Sequence, residues 1–318
     1  MRGLLKLAAF ALSAFVAFGS ANAETVLRIG DQKGLARAVL EAAGALAGAP
    51  YTIEWSEFPA AAPLLEAARA GAIDAGSVGD EPFTFAVAAG SPIKAIEAAR
   101  SSQEGLAVVV PHDSPIHQFK DLVSKKIATG RGSIGHQLVL AQLEANGLKA
   151  SDVQLVFLAP SDASVALKTG SVDAWSTWDP YTAQLELSQG ARRIADGVGV
   201  TPGLGYFFAR DDALTNADKH QALQDFVARL ARARRWGLEH LETYAETWSG
   251  IVGLPKEVGL KVYTRARYRA APIDAGVIAD EQRTIDLYRR AGLIKDPLDA
   301  NKIFSADFTP VIAAELRP

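Results

Sequence analysis

Short apolar runs alternate with segments of helical periodicity along the first two thirds of the chain. An apolar run bounded by turn residues is typical of a buried strand, whereas apolar positions three and four residues apart are typical of an amphipathic helix. The first part of the chain therefore predicts strands at 26–30, 51–58 and 73–79, with helices at 35–48 and 62–71. This alternation indicates an α/β fold with a parallel sheet.

The same order of elements recurs further along the chain. Residues 67–80, AARAGAIDAGSVGD, and residues 165–179, VALKTGSVDAWSTWD, share a helix ending in Gly, then a small residue, an aliphatic residue, Asp and Ala. We therefore expect a duplicated βαβαβ unit. In the second copy, strands and helices alternate over residues 125–130, 135–147, 153–158, 161–170 and 171–178.

The connecting and C-terminal segments predict how the two copies are joined. The sequence is mostly helical after residue 220, and we expect one of these helices to pack on the first copy. VVVP (108–111) and TPGLGY (201–206) are then the candidate crossings between two lobes. The predicted division is a leader at 1–23, a discontinuous lobe 1 at 24–110 and 206–318, and lobe 2 at 111–205.

The first residues have the pattern of a secretory signal peptide. Arg2 and Lys6 precede a short apolar run, and Ala21-Asn22-Ala23 is typical of a cleavage site, so cleavage after Ala23 is expected. The apolar run is too short to span a bilayer. The mature protein is therefore expected to be exported to the periplasm.

The composition of the chain excludes some kinds of functional site and makes others less favoured. The chain has no cysteine, which excludes disulfides, thiolate metal sites and cysteine nucleophiles. Its formal charge is −3, and a net acidic chain gives no support for nucleic-acid binding. The five histidines include no H-x-x-x-H pair, so no metal site is expected. No cofactor is expected either.

Ligands of open α/β sheets bind beyond the carboxyl ends of the strands. In the second copy, GRGSIGH (130–136) follows a strand and begins a helix, so its backbone N–H groups and the helix dipole favour an anion. Gly132 allows close approach, and Ser133 adds a hydroxyl as the expected N-cap. In the first copy, Gln32 and Lys33 supply a donor and a positive charge at a similar position.

Two enzymatic interpretations of GRGSIGH are weaker. The glycines follow the G-x-G-x-x-G pattern, but the acidic residue of a dinucleotide site is missing after the next strand, which ends in Ala159-Pro160-Ser161. The G-x-S-x-G elbow of serine hydrolases is also absent, because Arg131 stands two residues before Ser133. His136 is interpreted either as an exposed or capping histidine or as part of the site.

WSTWDPY (175–181) ends the corresponding strand of the second copy. Strand alternation places Trp175 and Trp178 on opposite faces, and Trp178, nearer the strand end, is expected to line the cleft. Its ring would cover an apolar or cationic part of a ligand. Asp80 and Asp179 end matching strands, and each either accepts a hydrogen bond from a ligand or caps a neighbouring helix.

Three segments together resemble the periplasmic binding proteins of ABC importers for aliphatic sulfonates, relatives of those for taurine and nitrate. They are WSEFPAAAPLLEAARAGAIDAGSVGDEP (55–82), KKIATGRGSIGHQLVLAQLEANGL (125–148) and SVDAWSTWDPY (171–181). The resemblance implies a type II binding-protein fold: two α/β lobes, each with a mostly parallel sheet flanked by helices and a cleft between them. By motif, the implied ligand-binding residues are Gln32, Lys33, Gly79, Asp80, Gly132, Ser133, His136, Trp178 and Asp179.

The resemblance implies a non-enzymatic, monomeric solute receptor that delivers an organosulfonate to a permease and its ATPase in the inner membrane. Two acids depart from the family's usual pattern, Asp31 and Glu81. Extra acid near an anion site weakens binding of a simple anion unless the acids point away or meet a ligand amine. Taurine, nitrate, sulfate esters or another small ligand therefore remain alternatives, and a secreted α/β enzyme is the alternative from another class.

Overall fold

The computed structural model describes residues 24–317, and the predicted signal peptide at 1–23 lies outside the described residues. Eleven strands in this part of the chain form two sheets. The strands are β1 Val26–Gln32, β2 Thr52–Phe58, β3 Ala75–Gly79, β4 Ile93–Arg100, β5 Ala107–Val110, β6 Lys126–Thr129, β7 Gln154–Phe157, β8 Ala174–Thr177, β9 Arg192–Asp196, β10 Leu204–Arg210 and β11 Arg269–Ala271.

Helices flank both sheets. The α-helices of the described chain are α1 Arg37–Ala42, α2 Ala61–Arg69, α3 Asp80–Ala88, α4 Ile134–Ala145, α5 Pro160–Lys168, α6 Tyr181–Gln189, α7 Asp211–Thr215, α8 Ala217–Glu239, α9 Leu241–Val252, α10 Lys256–Ala266, α11 Ala275–Arg290 and α12 Thr309–Glu315. Short 3₁₀ turns occur at Gln103–Gly105, Phe119–Leu122, Ala150–Asp152, Ala300–Lys302 and Ala306–Phe308. None of the helices between residues 24 and 317 combines the length and apolar character needed to cross a bilayer.

The strand order confirms the internal duplication. The first sheet has the order β11-β4-β10-β3-β1-β2 and the second β7-β6-β8-β5-β9. In both, the first strand of a βαβαβ unit lies between the other two and pairs with them in parallel. An antiparallel strand then joins the edge of each unit, β10 beside β3 and β5 beside β8. The predicted two-sheet α/β architecture is confirmed.

Each of these antiparallel strands follows a segment in which the chain crosses from one lobe to the other. β4 belongs to the first sheet and β5 to the second, so the first crossing is 101–106. β9 belongs to the second sheet and β10 to the first, so the second crossing is 197–203. The crossing expected at VVVP was wrong, because Val108 to Val110 are buried in the second sheet, and the lobe boundary moves from residue 110 to the preceding segment. We call the lobe with the first sheet lobe 1 and the other lobe 2.

Each lobe is stabilised by a hydrophobic core of its own. One face of the first sheet packs against α1, α8, α9 and α10, with Leu27, Ile29, Phe226 and Leu230 fully buried. Removing each such side chain from water on folding stabilises the protein by about 1.5–3 kcal/mol. The C-terminal helices α8, α9 and α10 therefore pack on the first sheet. In lobe 2, Val108, Ile127 and Leu138 form the corresponding core.

The predicted helix at 35–48 is shorter in the structure. It covers only Arg37–Ala42 and is followed by turns. Gly44 and Gly48 adopt positive φ angles of 59° and 68°, a region that ends a right-handed helix. The apolar periodicity therefore continues past the helix because the turns also pack on the core.

Candidate functional site

A cavity of about 450 Å³ lies between the lobes. Its walls come from the loops at the carboxyl ends of strands in both sheets, where the parallel topology brings helix starts together. This volume is in the range of small-molecule sites. Seven of the nine predicted residues line it: Gln32, Lys33, Gly79, Gly132, Ser133, Trp178 and Asp179.

Four helices begin at the cavity wall, α2 and α3 from lobe 1 and α4 and α5 from lobe 2. The N-cap residues Ala60, Gly79 and Ala159 provide no side-chain cap. The orphan N–H groups of these first turns therefore have no side-chain acceptor at the N-cap, and the positive ends of the helix dipoles add to the potential there. The arrangement favours a negatively charged ligand.

Ser133 caps α4, the helix that begins after the glycine loop. Its Oγ accepts a hydrogen bond from the His136 backbone N–H at 3.3 Å and lies 3.4 Å from Thr129 Oγ1. Gly132 adopts φ +64°, which turns the loop ahead of the cap, and its backbone approaches the Phe85 ring. Ser133 therefore lines the cavity with its hydroxyl held in a position fixed by the backbone.

Two cations line the cavity, one from each lobe. Arg131 places its guanidinium 3.9 Å from the centroid of the Phe157 ring in lobe 2. Lys33, in lobe 1, occupies a left-handed turn, and its carbonyl accepts a hydrogen bond from Trp248 Nε1 at 2.7 Å. Neither cation forms a salt bridge with an acid in residues 24–317. Both charges are available to a ligand.

Aromatic and aliphatic side chains form much of the remaining wall. Trp178 lines the cavity, whereas Trp175 is 2% exposed and packs in the core of lobe 2, as strand alternation predicts. Sequence reasoning missed a second group of wall residues, Phe157, Trp248, Tyr263 and Tyr268. Phe157 could have been found, because it lies next to the end of the strand predicted at 153–158 and is the last residue of β7. The other three lie in the helical C-terminal part, where no strand end marks them.

Two predicted residues, Asp80 and His136, do not line the cavity. His136 is 2% exposed and packs edge-on against Phe157, with 5.1 Å between ring centroids. Burial, aided by Arg131, lowers its pKa to about 4, so it is neutral near pH 7, and its Nδ1 accepts from the Gly132 N–H at 3.4 Å. It supports the loop from behind, and the interpretation of an exposed histidine was wrong.

Asp80 begins α3 but turns away from the cavity. Its carboxylate accepts hydrogen bonds from Gln137 Nε2 and Thr284 Oγ1, each at 3.1 Å. Gln137 belongs to lobe 2, so this contact bridges the lobes. Burial raises the pKa of Asp80 to about 6. The carboxylate is hydrogen-bonded to side chains of α4 and α11 and does not line the cavity.

Neither of the two unusual acids faces a ligand. Asp31 is fully buried and accepts hydrogen bonds at 3.0 Å from the backbone N–H groups of Gln32, Ala36 and Arg37, which shapes the loop that carries Lys33. Glu81 is also fully buried and accepts from the Gln137 N–H at 3.3 Å. Both departures therefore change the scaffold behind the site and not its lining.

The site has no grouping suited to a metal ion. Within the part of the chain that the structure describes, no three His, Asp or Glu side chains are disposed to hold one. The cavity is instead lined by backbone N–H groups, serine and tyrosine hydroxyls, the amides of Gln32 and Gln103, and two cations. This set suits an oxyanion.

Two lobes joined by paired crossings, with a cavity between them, define a receptor-like α/β protein. Residues 58–242 match the model of the family described as NMT1/THI5 like, and the chain belongs to this family. A protein of Escherichia coli (strain K12), named as an aliphatic sulfonates-binding protein, is 34% identical over 306 residues, covering 94% of this chain and 95% of that protein. The predicted resemblance to sulfonate-binding proteins is confirmed.

Solved structures agree with this assignment. The alkanesulfonate-binding protein SsuA from Xanthomonas axonopodis pv. citri, bound to MOPS, superposes with a TM-score of 0.82 at 31% identity, covering 89% of this chain and 99% of that chain. The periplasmic aliphatic sulphonate binding protein SsuA from Escherichia coli gives a TM-score of 0.78 at 31% identity, covering 89% and 92%. The fold is therefore that of the periplasmic solute receptors.

Proposed function

We propose that this protein is the solute-binding component of an ABC importer, which captures organosulfonates in the periplasm and delivers them to a permease and its ATPase. The observation that carries the proposal is the cavity between the lobes, where four helix starts and two unpaired cations converge from both lobes. The names of its relatives point to the same ligand class.

The predicted mechanism is closure of the two lobes around one anionic head group. Backbone N–H groups and Ser133 bind the sulfonate oxygens, with Lys33 and Arg131 supplying charge, while Trp178 covers the organic part. Binding energy from both lobes is gained only in the closed form, so the ligand shifts the population toward closure. The Tyr181 hydroxyl of lobe 2 donates to the Pro59 carbonyl of lobe 1 at 2.8 Å, a direct hydrogen bond between the lobes.

The cavity favours a sulfonate over the smaller alternatives. Nitrate would leave most of the 450 Å³ empty and the aromatic wall without contact. An enzymatic role receives less support, because the one histidine near the anion site is buried and faces away from the cavity. A turnover assay on bound sulfonates separates the enzyme from the receptor.

The direct experiment is calorimetric titration with propane-1-sulfonate, taurine, nitrate and a sulfate ester. We expect propane-1-sulfonate to bind and Ser133→Leu to weaken it at least about tenfold, because the larger side chain occupies the oxyanion position and removes a donor. Asn216→Ala is the matched control, since Asn216 caps α8 away from the cavity. No binding of any sulfonate to the unaltered protein, or equal effects of the two variants, would contradict the proposal.

A further inference from the structure

A buried ion pair closes one side of the cavity. Arg265, on α10 of lobe 1, binds Asp179 of lobe 2 through two nitrogens, with Nε donating to Oδ2 at 2.7 Å and the terminal nitrogen to Oδ1. The side chains are only 8% and 6% exposed. Two parallel bonds between a guanidinium and a carboxylate are the geometry of a fully charged pair.

Asp179 is the single acidic residue among the described residues that line the cavity. Both of its oxygens are occupied, because the Ala183 N–H also donates to Oδ1 at 3.1 Å. Arg265 itself does not line the cavity. The guanidinium therefore covers the carboxylate from behind and cancels its charge without presenting a donor to a ligand.

The surroundings hold Arg265 in this position. Its second terminal nitrogen donates to Glu186 Oε2 at 2.8 Å, and Glu186 also binds Arg193 and Lys261. Burial opposes the charge of Arg265, but the contacts with Asp179 and Glu186 prevail and its pKa is raised. The guanidinium is fixed in its charged form.

The charge balance of the cavity follows from this pair. Lys33 and Arg131 form no salt bridge, while the single carboxylate is neutralised, so the lining offers an ammonium group no free acidic partner and two repulsive charges. Placing an unpaired cation in such a site costs desolvation without compensation. The organic part of the ligand instead meets Phe157, Trp178, Tyr263 and Tyr268.

Resting on the proposed function, we propose that Arg265 is a specificity-determining residue: by masking Asp179 it makes the site select sulfonates with an uncharged, apolar organic part and reject sulfonates that carry an ammonium group. Removal of Arg265 leaves the Asp179 carboxylate without its counter-charge, so that it repels a sulfonate and pairs with an amine. The selectivity of the site is therefore decided by a residue that the ligand does not touch.

The test compares two ligands of nearly the same shape, propane-1-sulfonate and taurine, in which a methyl and an ammonium group exchange places. Calorimetry on the unaltered protein should show propane-1-sulfonate bound at least about tenfold more tightly. Arg265→Met should reduce this ratio about tenfold or more, because the freed charge of Asp179 acts on the two ligands with opposite sign. The double variant Arg265→Met/Asp179→Asn should restore the preference.

Arg193→Met is the matched control, because Arg193 contacts Glu186 but not Asp179, and its ratio should stay unchanged. If Arg265→Met does not fold, Asp179→Asn alone decides, since it removes the only carboxylate of the described lining while Arg265 keeps its contact with Glu186, and it should raise the preference for propane-1-sulfonate. A ratio that is equal in all variants, or losses of the same size for both ligands without rescue, would show a purely structural role. Failure of both ligands to bind the unaltered protein would instead overturn the proposed function.

Discussion

Arg131 contributes both a positive charge and an aromatic contact to the wall of the cavity. It is exposed, lies over the Phe157 ring and has no acidic partner within residues 24–317. A guanidinium on an aromatic face keeps its position while its N–H groups stay free. A ligand anion therefore finds an oriented cation and does not displace an existing ion pair.

We predict that Arg131→Met weakens sulfonate binding about tenfold or more, since it removes one of two available charges from a partly desolvated site. Arg131→Lys should retain most of the affinity, and Lys168→Met, which removes an exposed charge from the end of α5, should leave it unchanged. Calorimetry at low and physiological salt measures all three. An Arg131→Met protein that binds as the parent does would place the anion elsewhere.

At this scale, sequence reasoning found the residues that follow strands, because parallel topology brings strand ends together. Ser133, Lys33 and Trp178 were predicted in this way. Arg131 was noted only as a departure from the hydrolase elbow, since a single exposed arginine in a loop carries no pattern. Arg265 could not be found, because its partner Asp179 is 86 residues away in the chain and the contact depends on how the lobes meet.

Helix α4 determines where the oxyanion donors lie. Its residue Gly135 sits against β8, where an added Cβ would lie 2.5 Å from the Ser176 carbonyl oxygen and 2.7 Å from Thr129 Oγ1. Ser176 Oγ donates to the Gly135 carbonyl at 2.7 Å from the same strand. The start of the helix is therefore seated directly on the sheet, and a larger residue would displace it.

Gly135→Ala should destabilise the protein by about 1–3 kcal/mol, because overpacking moves the helix off the strand. Sulfonate affinity should fall with it, since Ser133 moves with α4. Gly250→Ala is the matched control: Gly250 lies in α9 with open space around it, so alanine should stabilise by up to about 1 kcal/mol. Urea denaturation gives both values, and equal stability of the parent and Gly135→Ala would refute the packing argument.

The elements themselves could be predicted from periodicity, but their ends and partners could not. The helix predicted at 35–48 ends at Ala42 because glycines beyond it take left-handed angles, which composition alone does not show. VVVP has the apolar character of a strand in either lobe. Its place in the second sheet is decided by pairing with β8 and β9, a long-range contact.

At the scale of the whole molecule, the lobes meet at two separate places behind the cavity. One is the ion pair of Arg265 and Asp179, and the other joins α4 to α3 and α11 through Gln137. The second contact contains three fully buried carboxyl groups, those of Asp80, Glu81 and Glu281. No arginine, lysine or histidine of the described residues forms a salt bridge with any of them. Each carboxyl can remain buried at lower cost when it is protonated.

This cluster predicts a loss of stability at higher pH. Burial raises the pKa of Glu281 to about 8 and that of Asp80 to about 6, and it raises the pKa of Glu81 as well. A carboxyl with a raised pKa in the folded protein stabilises it fully at low pH, and this contribution is lost as pH rises through the folded value. The free energy of unfolding should therefore fall between pH 6 and pH 8.

Glu281→Gln isolates the contribution of one group, because an amide resembles the protonated carboxyl and does not titrate. Tyr206 OH donates to the Glu281 carboxyl at 2.8 Å, and the amide oxygen can accept this bond. Between pH 6 and pH 8 the variant should lose about 1–2 kcal/mol less stability than the parent, measured by urea denaturation. Glu54→Gln on the exposed edge of β2 should follow the parent. Equal slopes for Glu281→Gln and the parent would show that Glu281 does not titrate between pH 6 and pH 8, and would refute a pKa raised into this range at the junction between the lobes.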